Sequence, residues 1–282
     1  MLTREVMGLL ALAILWVNTL LVVAAAAKDL AVLAERRRQL RPLGAVDRGA
    51  GVLLGLVVRG DGPGGALASQ RIEQIGRSAG ETKKGRGIIF ADRAFSGEIF
   101  GGSMRVELEP GRAEEIEIAP SKSAEIWLPL EDLRAASGVP PAPRFNAAYE
   151  DARKARGFSR TVTASIEPGK TAWISGALER DRGDGPLRLA PARGLPPIAS
   201  TLDPRAVCAK KIALSTASIG AILALAAGST AVALHRPHFE LVSSIGGALC
   251  LLFFLLVQPA GTALRDAVRL PSRAFLRGEW RL

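Results

Sequence analysis

Residues able to do chemistry are few and widely spaced in this sequence. Its two histidines, His235 and His238, share the short segment HRPHFE (235–240). Two imidazoles leave a zinc shell incomplete, so the segment reads as a polar turn and no metal site is expected. The two cysteines, Cys208 and Cys250, belong to no spaced cluster, which leaves neither a disulfide framework nor a zinc motif. The triplet Gly169-Lys170-Thr171 invites a phosphate-loop reading. That motif needs a glycine where Ala164 stands, and a helix where the residues after Thr171 predict a strand. A hairpin turn is the expectation instead. Segment 60–65 (GDGPGG) likewise lacks the spacing of a dinucleotide-binding loop. No HExxH and no nucleophile elbow is expected, and both histidines fall outside the segment that could host a serine or cysteine nucleophile. The chain is expected not to be an enzyme and to use no cofactor.

A more specific signal lies in an apolar stretch. Thr216, Gly220, Ala224 and Gly228 recur every four residues, and Ser243 and Gly247 repeat the spacing further on. Small residues so placed let helix backbones approach closely in lipid, where no hydrophobic drive brings helices together. They predict packing within a helical hairpin, with homo-oligomerisation through the same face as the alternative.

The elements carrying these residues follow from how polarity is distributed. The chain is 48% hydrophobic and 23% charged, with a mean hydropathy of +0.21, so apolar and charged residues must be segregated along it. Uncharged runs occupy 6–27, 212–234 and 241–264. Each exceeds the ~20 residues that cross ~30 Å of hydrocarbon as a helix. A cleaved signal peptide is the rival for the first run. Its length exceeds the ~7–15 residues of a signal core, and its basic residues follow rather than precede it. A buried soluble hairpin is the rival for the other two, and their length and lack of charge argue against it.

Basic flanks set the orientation. Arg36, Arg37, Arg38 and Arg41 follow the first run, Lys210 and Lys211 precede the second, and Arg265, Arg269, Arg273, Arg277 and Arg281 follow the third. The 235–240 turn holds only Arg236. The positive-inside rule then places the N-terminus outside and the main domain and C-terminal tail in the cytoplasm of a multi-pass cell-membrane protein. The net charge of +10 reads as attraction to anionic lipid headgroups. Nucleic acid is disfavoured as a partner, since aromatics make up 5% of the chain and do not interleave with basic residues.

The expected order is a tail at 1–5, a span at 6–27, a basic juxtamembrane helix at 28–44 stopped by Pro42 and Gly44, and a soluble domain at 45–202. A helix at 203–211, capped by Asp203 with Pro204 in its first turn, then leads into a span at 212–234. The turn at 235–240, a span at 241–264 and a basic tail at 265–282 complete the chain. Within the domain, GVLLGLVVRG (51–60) reads as a buried strand, and the strings SQRIEQIGR, RGIIFADR and SGEIFGG as short strands. Alternation is clearest in SMRVELEP and AEEIEIAP, a hairpin turning at Pro110-Gly111 with one wet face. AEIWLPL and the segments 159–166, 171–179 and 186–190 add strands around a helical interlude. The fold class expected is α+β: three transmembrane helices plus a β-rich soluble domain resembling a small barrel or sandwich.

Residues 161–234 carry a family resemblance. The run TASIEPGKTAWISGALERDRGDGPLRLAP, followed by GLPPIASTLDPRAVCAKKIAL, resembles the GIDE family, as does the opening strand GVLLGLVVRGDGPGGAL. Eukaryotic members of that family are membrane-anchored ubiquitin ligases, and bacterial members have the domain without a ligase module. The ligases end in a RING module rich in cysteine and histidine. With two of each in this whole chain, ligase activity does not carry over. The resemblance implies a non-enzymatic membrane-anchored binding or scaffold protein with an unknown protein partner. An accessory subunit of a larger membrane enzyme or transporter, and an unrecognised membrane-bound hydrolase, are the other readings.

Overall fold

A computed structural model describes residues 4–44, 49–82, 85–129, 131–132, 136, 159–180, 186–235, 245, 247–248 and 252. The chain is α+β, with a large mixed sheet, a smaller sheet and two long apolar helices. It divides between Arg36 and Arg37, and again between Val207 and Cys208, into a helical unit and a strand unit.

Helix α1 (Arg4–Gln39) is continuous through the expected span and the basic segment after it. It stops at Gln39, earlier than expected, because Arg41, Pro42 and Leu43 turn to pair with a strand. Helix α2 (Pro204–Ala233) joins the expected capped helix and the second span without a break. Its start is as the sequence predicts: Asp203 Oδ1 accepts from the backbone N–H groups of Arg205 at 2.8 Å and Ala206 at 3.1 Å. Both helices are long and apolar enough to cross a membrane, and only 17% of each apolar window is buried.

Within the helical unit, α1 and α2 meet along a narrow seam. Leu15, Ala26, Ile222 and Ala226 are buried there, with Leu12, Trp16, Val22, Val23 and Ile219 packed around them. These residues recur at steps of three and four on each helix, the spacing of one helical face. Trp16 Nε1 donates to Thr230 Oγ1 at 3.1 Å, joining the early part of α1 to the end of α2 as an antiparallel pair would. Thr230 Oγ1 in turn donates to the Ala226 carbonyl at 2.7 Å, so the hydroxyl is used twice. The third apolar run, 241–264, falls almost wholly outside the described residues, as does the helical interlude after residue 136.

The strand unit contains β1 (Ala50–Gly60), β2 (Ala68–Thr82), β3 (Gly85–Ile99), β4 (Gly102–Glu109), β5 (Arg112–Ile118), β6 (Glu125–Trp127), β7 (Ser159–Ile166), β8 (Thr171–Arg180), β9 (Leu187–Ala190) and β10 (Ile198–Ser200). The larger sheet has the order β1-β4-β5-β9-β8-β10-β6, and β8 also pairs with β1. That additional ladder matches Ala50 with Ala177 through to Leu56 with Thr171. Strand pairing therefore returns on itself around β1, β4, β5, β9 and β8, with β5–β9 the one parallel contact in the ring. β10 and β6 branch from the free part of β8. The smaller sheet, β3-β2-β7, is antiparallel throughout.

Alternate residues of β1, β4, β5, β8 and β9 are buried together. Leu53 and Val57 of β1, Met104 and Val106 of β4, Ile116 and Ile118 of β5, Ala172 and Ile174 of β8 and Leu189 of β9 are all buried in one cluster. That cluster continues into the smaller sheet through Leu67, Ala68, Ile72, Val162, Ala164 and Ile166. Gly55 stands among these inward residues because nothing larger fits: a Cβ there would lie 2.5 Å from Val106 Cγ1 and 2.8 Å from the Arg105 carbonyl oxygen.

Three strand expectations are corrected. RGIIFADR and SGEIF are one strand, β3, which pairs with β2 along nearly its whole length. The residues around Lys170 do turn, with Gly169 at φ 83°, but they do not close a hairpin. β7 belongs to the small sheet and β8 to the ring, so this turn passes the chain between sheets and is held by Val57. The N–H of Gly169 donates to the Val57 carbonyl at 2.9 Å, and the Val57 N–H donates to the Lys170 carbonyl at 3.0 Å. Finally, β1 is not buried on both faces: Leu54, Leu56 and Val58 point outward and are 38–43% exposed. The β4–β5 hairpin is as expected, with Glu109 opposite Arg112 across Pro110-Gly111.

Candidate functional site

Two surfaces of the ring are built by this register. On β4 and β5 the outward positions are charged. Arg105 stands opposite Glu115, Ser103 opposite Glu117, and Glu107 and Glu109 follow along β4. Glu117 also faces Arg188 of β9. Apart from Ser103, which is buried, these residues lie on the wet side while their neighbours fill the core, so this face is predominantly acidic. The Glu107 carboxylate is committed locally, with Oε1 accepting from the Gly111 N–H at 2.6 Å. The ion pairs near these strands, Arg112–Glu114 at 3.0 Å and Arg59–Asp61 at 3.5 Å, are largely solvated and add little stability.

The second surface is apolar and lies on β1. Leu54 faces the half-buried Trp173 of β8, and Leu56 lies between Thr171 of β8 and Arg105 of β4. Basic side chains frame it. Arg41 lies at one end, its Nε donating to the Ala50 carbonyl at 3.2 Å, while Arg59 and Lys170 lie toward the other. Sequence reading missed this surface because a run of aliphatic residues looks buried on both sides. The clue available was the run's own alternation, since only one set of alternate residues can face the core of a sheet.

Among the small-residue positions, Thr216, Gly220, Ala224 and Gly228 are exposed, and a Cβ at Gly220 or Gly228 would meet nothing within 4 Å. The α1–α2 seam runs instead through Ile219, Ile222, Ala226 and Thr230. Gly247 is likewise open, and Ser243 lies outside the described residues. Of the basic candidates, Arg37, Arg38, Arg41 and Lys210 are exposed, and Arg36 and Lys211 are half-buried. Arg37, Arg38 and Arg41 belong to the strand unit, and Arg36, Lys210 and Lys211 to the helical unit.

One motif escaped sequence reading. Residues 76–80 spell GRSAG, formally the GxSxG of a nucleophile elbow. An elbow sits at a sharp turn from strand to helix. Ser78 here lies within β2, paired with Ile88 of β3, so the string has the wrong local structure for that role. Among the described residues no group of three histidine, cysteine, aspartate or glutamate side chains could hold a metal ion. Comparison with protein-family models, with curated proteins and with solved structures yields no match to this chain.

Proposed function

We propose that this chain is a non-enzymatic, membrane-anchored binding or scaffold protein that presents a GIDE-like domain at the cytoplasmic membrane face. In this reading it crosses the membrane three times, with its N-terminus outside. The observation that carries it is the connection of one strand unit to two long, apolar and largely unburied helices. A helix from the core of a soluble protein would be mostly buried, whereas lipid accounts for apolar surface left open on both. The ring of strands is read as a small closed barrel. Its order, with the third and fifth ring strands parallel, is that of an OB-type barrel, an architecture used for binding across its second and third strands. Here those strands are β4 and β5, and their carboxylates oppose a phosphate backbone. That supports a protein partner for this face over nucleic acid.

The open positions from Thr216 to Gly228 favour a second reading, an accessory subunit or homo-oligomer whose small residues receive another helix. Purification from native membranes after crosslinking, with mass spectrometry, separates the two. A membrane enzyme or transporter recovered at constant ratio and crosslinked to α2 would displace the scaffold reading. Topology is tested by a His235→Cys variant probed with an impermeant thiol reagent. Labelling from outside is expected, and labelling solely from the cytoplasmic side refutes the orientation.

A further inference from the structure

We infer that the outward stripe of β1, Leu54, Leu56 and Val58 with Trp173 beside it, is a docking surface for an anionic bilayer. This rests on the membrane reading above and goes beyond it, since a protein tethered by helices needs no such surface. The three aliphatic side chains are 38–43% exposed on consecutive outward positions of one strand. Contiguous apolar surface with a polar rim marks a site of interaction rather than chance exposure. Four basic residues stand on the rim: Arg41 at the Ala50 end, Arg105 across from Leu56 and itself opposite Glu115, and Arg59 and Lys170 beside the Val57–Val58 end. Arg59 pairs with Asp61 at 3.5 Å and Lys170 with Asp132 at 4.0 Å, both in solvated, loose geometry. Glu107, the nearest acid along β4, is turned toward Gly111.

Aliphatic side chains beside a tryptophan, framed by arginine and lysine, match the headgroup boundary of an anionic leaflet. The apolar groups enter the acyl edge, and the cations remain among the phosphates. A second copy of the chain fits less well. Three side chains about two-fifths exposed fall far short of the ~800 Å² per partner that a stable dimer buries. The stripe also follows Arg37, Arg38 and Arg41 in the same unit, with Arg41–Leu43 hydrogen-bonded to Val52 at the start of the strand.

The test uses the full chain in vesicles of phosphatidylcholine with or without phosphatidylglycerol, containing doxyl-labelled lipid. An environment-sensitive fluorophore is attached at Val58→Cys, Glu115→Cys or Leu20→Cys in a Cys208→Ala, Cys250→Ala background. Quenching at position 58 in phosphatidylglycerol vesicles, well above both position 115 and pure phosphatidylcholine, is expected. Adding Arg59→Gln or Arg105→Gln should lower the docked-to-undocked ratio by about fivefold each, the equivalent of about 1 kcal/mol. If position 20 is quenched while 58 matches 115, the docking inference is overturned and the membrane reading stands. If position 20 is unquenched, the membrane reading falls first. A spectral shift at 58 that grows with the protein-to-lipid ratio, without lipid quenching, overturns the inference in favour of a second copy.

Discussion

Replacing Gly55 with alanine is expected to destabilise the strand unit by about 1–3 kcal/mol, the usual cost of overpacking a filled interior. The new methyl would meet Val106 Cγ1 at 2.5 Å, the Arg105 carbonyl oxygen at 2.8 Å and Met104 Cε at 2.9 Å. All three atoms belong to β4, and Gly55 sits where β1 is flanked by β4 on one side and Ala172 of β8 on the other. The clash therefore depends on β1 being held against β4 in this register. Gly111→Ala is the comparison: its φ of 81° is costly for alanine, but nothing lies within 4 Å. It should lose about 1 kcal/mol through backbone strain alone. Val106→Ala by itself opens a cavity and should cost about 2 kcal/mol. Combined with Gly55→Ala it makes room for the new methyl, so the double variant should fall short of the summed losses by at least about 1 kcal/mol. Urea unfolding of the detergent-solubilised chain, followed by tryptophan fluorescence, reads all four proteins. A Gly55→Ala variant within about 0.5 kcal/mol of the parent, or an additive double variant, would refute the packing of β1 against β4.

In the helical unit, a double-mutant cycle on Trp16→Phe and Thr230→Val should give a coupling of about 0.6 kcal/mol, typical of a hydrogen bond between membrane helices. Zero coupling in a steric-trap or denaturation assay would mean that the two helices do not meet at this register. Asp203→Ala should cost about 1 kcal/mol by removing both N-cap hydrogen bonds of α2, and Asp203→Asn much less. Equal losses by the same unfolding assay would rule out the cap. Gln70 is buried in β2 with Oε1 lacking a hydrogen-bond partner. Gln70→Met should be neutral or stabilising because it removes an unsatisfied acceptor. A loss above about 2 kcal/mol in urea would show that the amide is bonded in solution.

What could be read from the sequence is local. The β4–β5 hairpin was legible because Met104, Val106, Ile116 and Ile118 alternate with charge around a Pro-Gly turn. The start of α2 was legible because Asp203 and Pro204 act within one turn. The long β2–β3 pair was hidden by Ala94, Ser96 and Gly97, which look like a break. Gly97 is required there because a Cβ would lie 2.2 Å from the Ala124 carbonyl oxygen. The turn at Gly169 was legible, but not the sheets on its two sides, since those depend on partners far away in sequence. The α1–α2 seam was not legible for a different reason. α2 is apolar all round, so small residues were the only visible asymmetry, and the contact with α1 uses Ile219, Ile222 and Ala226 instead.

The double role of β8 has a mechanical consequence. β1 leaves α1, β10 leads into α2, and both lie antiparallel to β8, with Leu53 and Ala199 on opposite edges of Ile174. β1 and β10 therefore run in the same direction, and a pull between the two helices would act on the beginning of one and the end of the other. Such a load shears both ladders lengthwise, along seven registered pairs from β1 to β8 but only two from β10 to β8. Tension reaching this domain from its anchors would part the short β8–β10 ladder before the long β1–β8 ladder gave way.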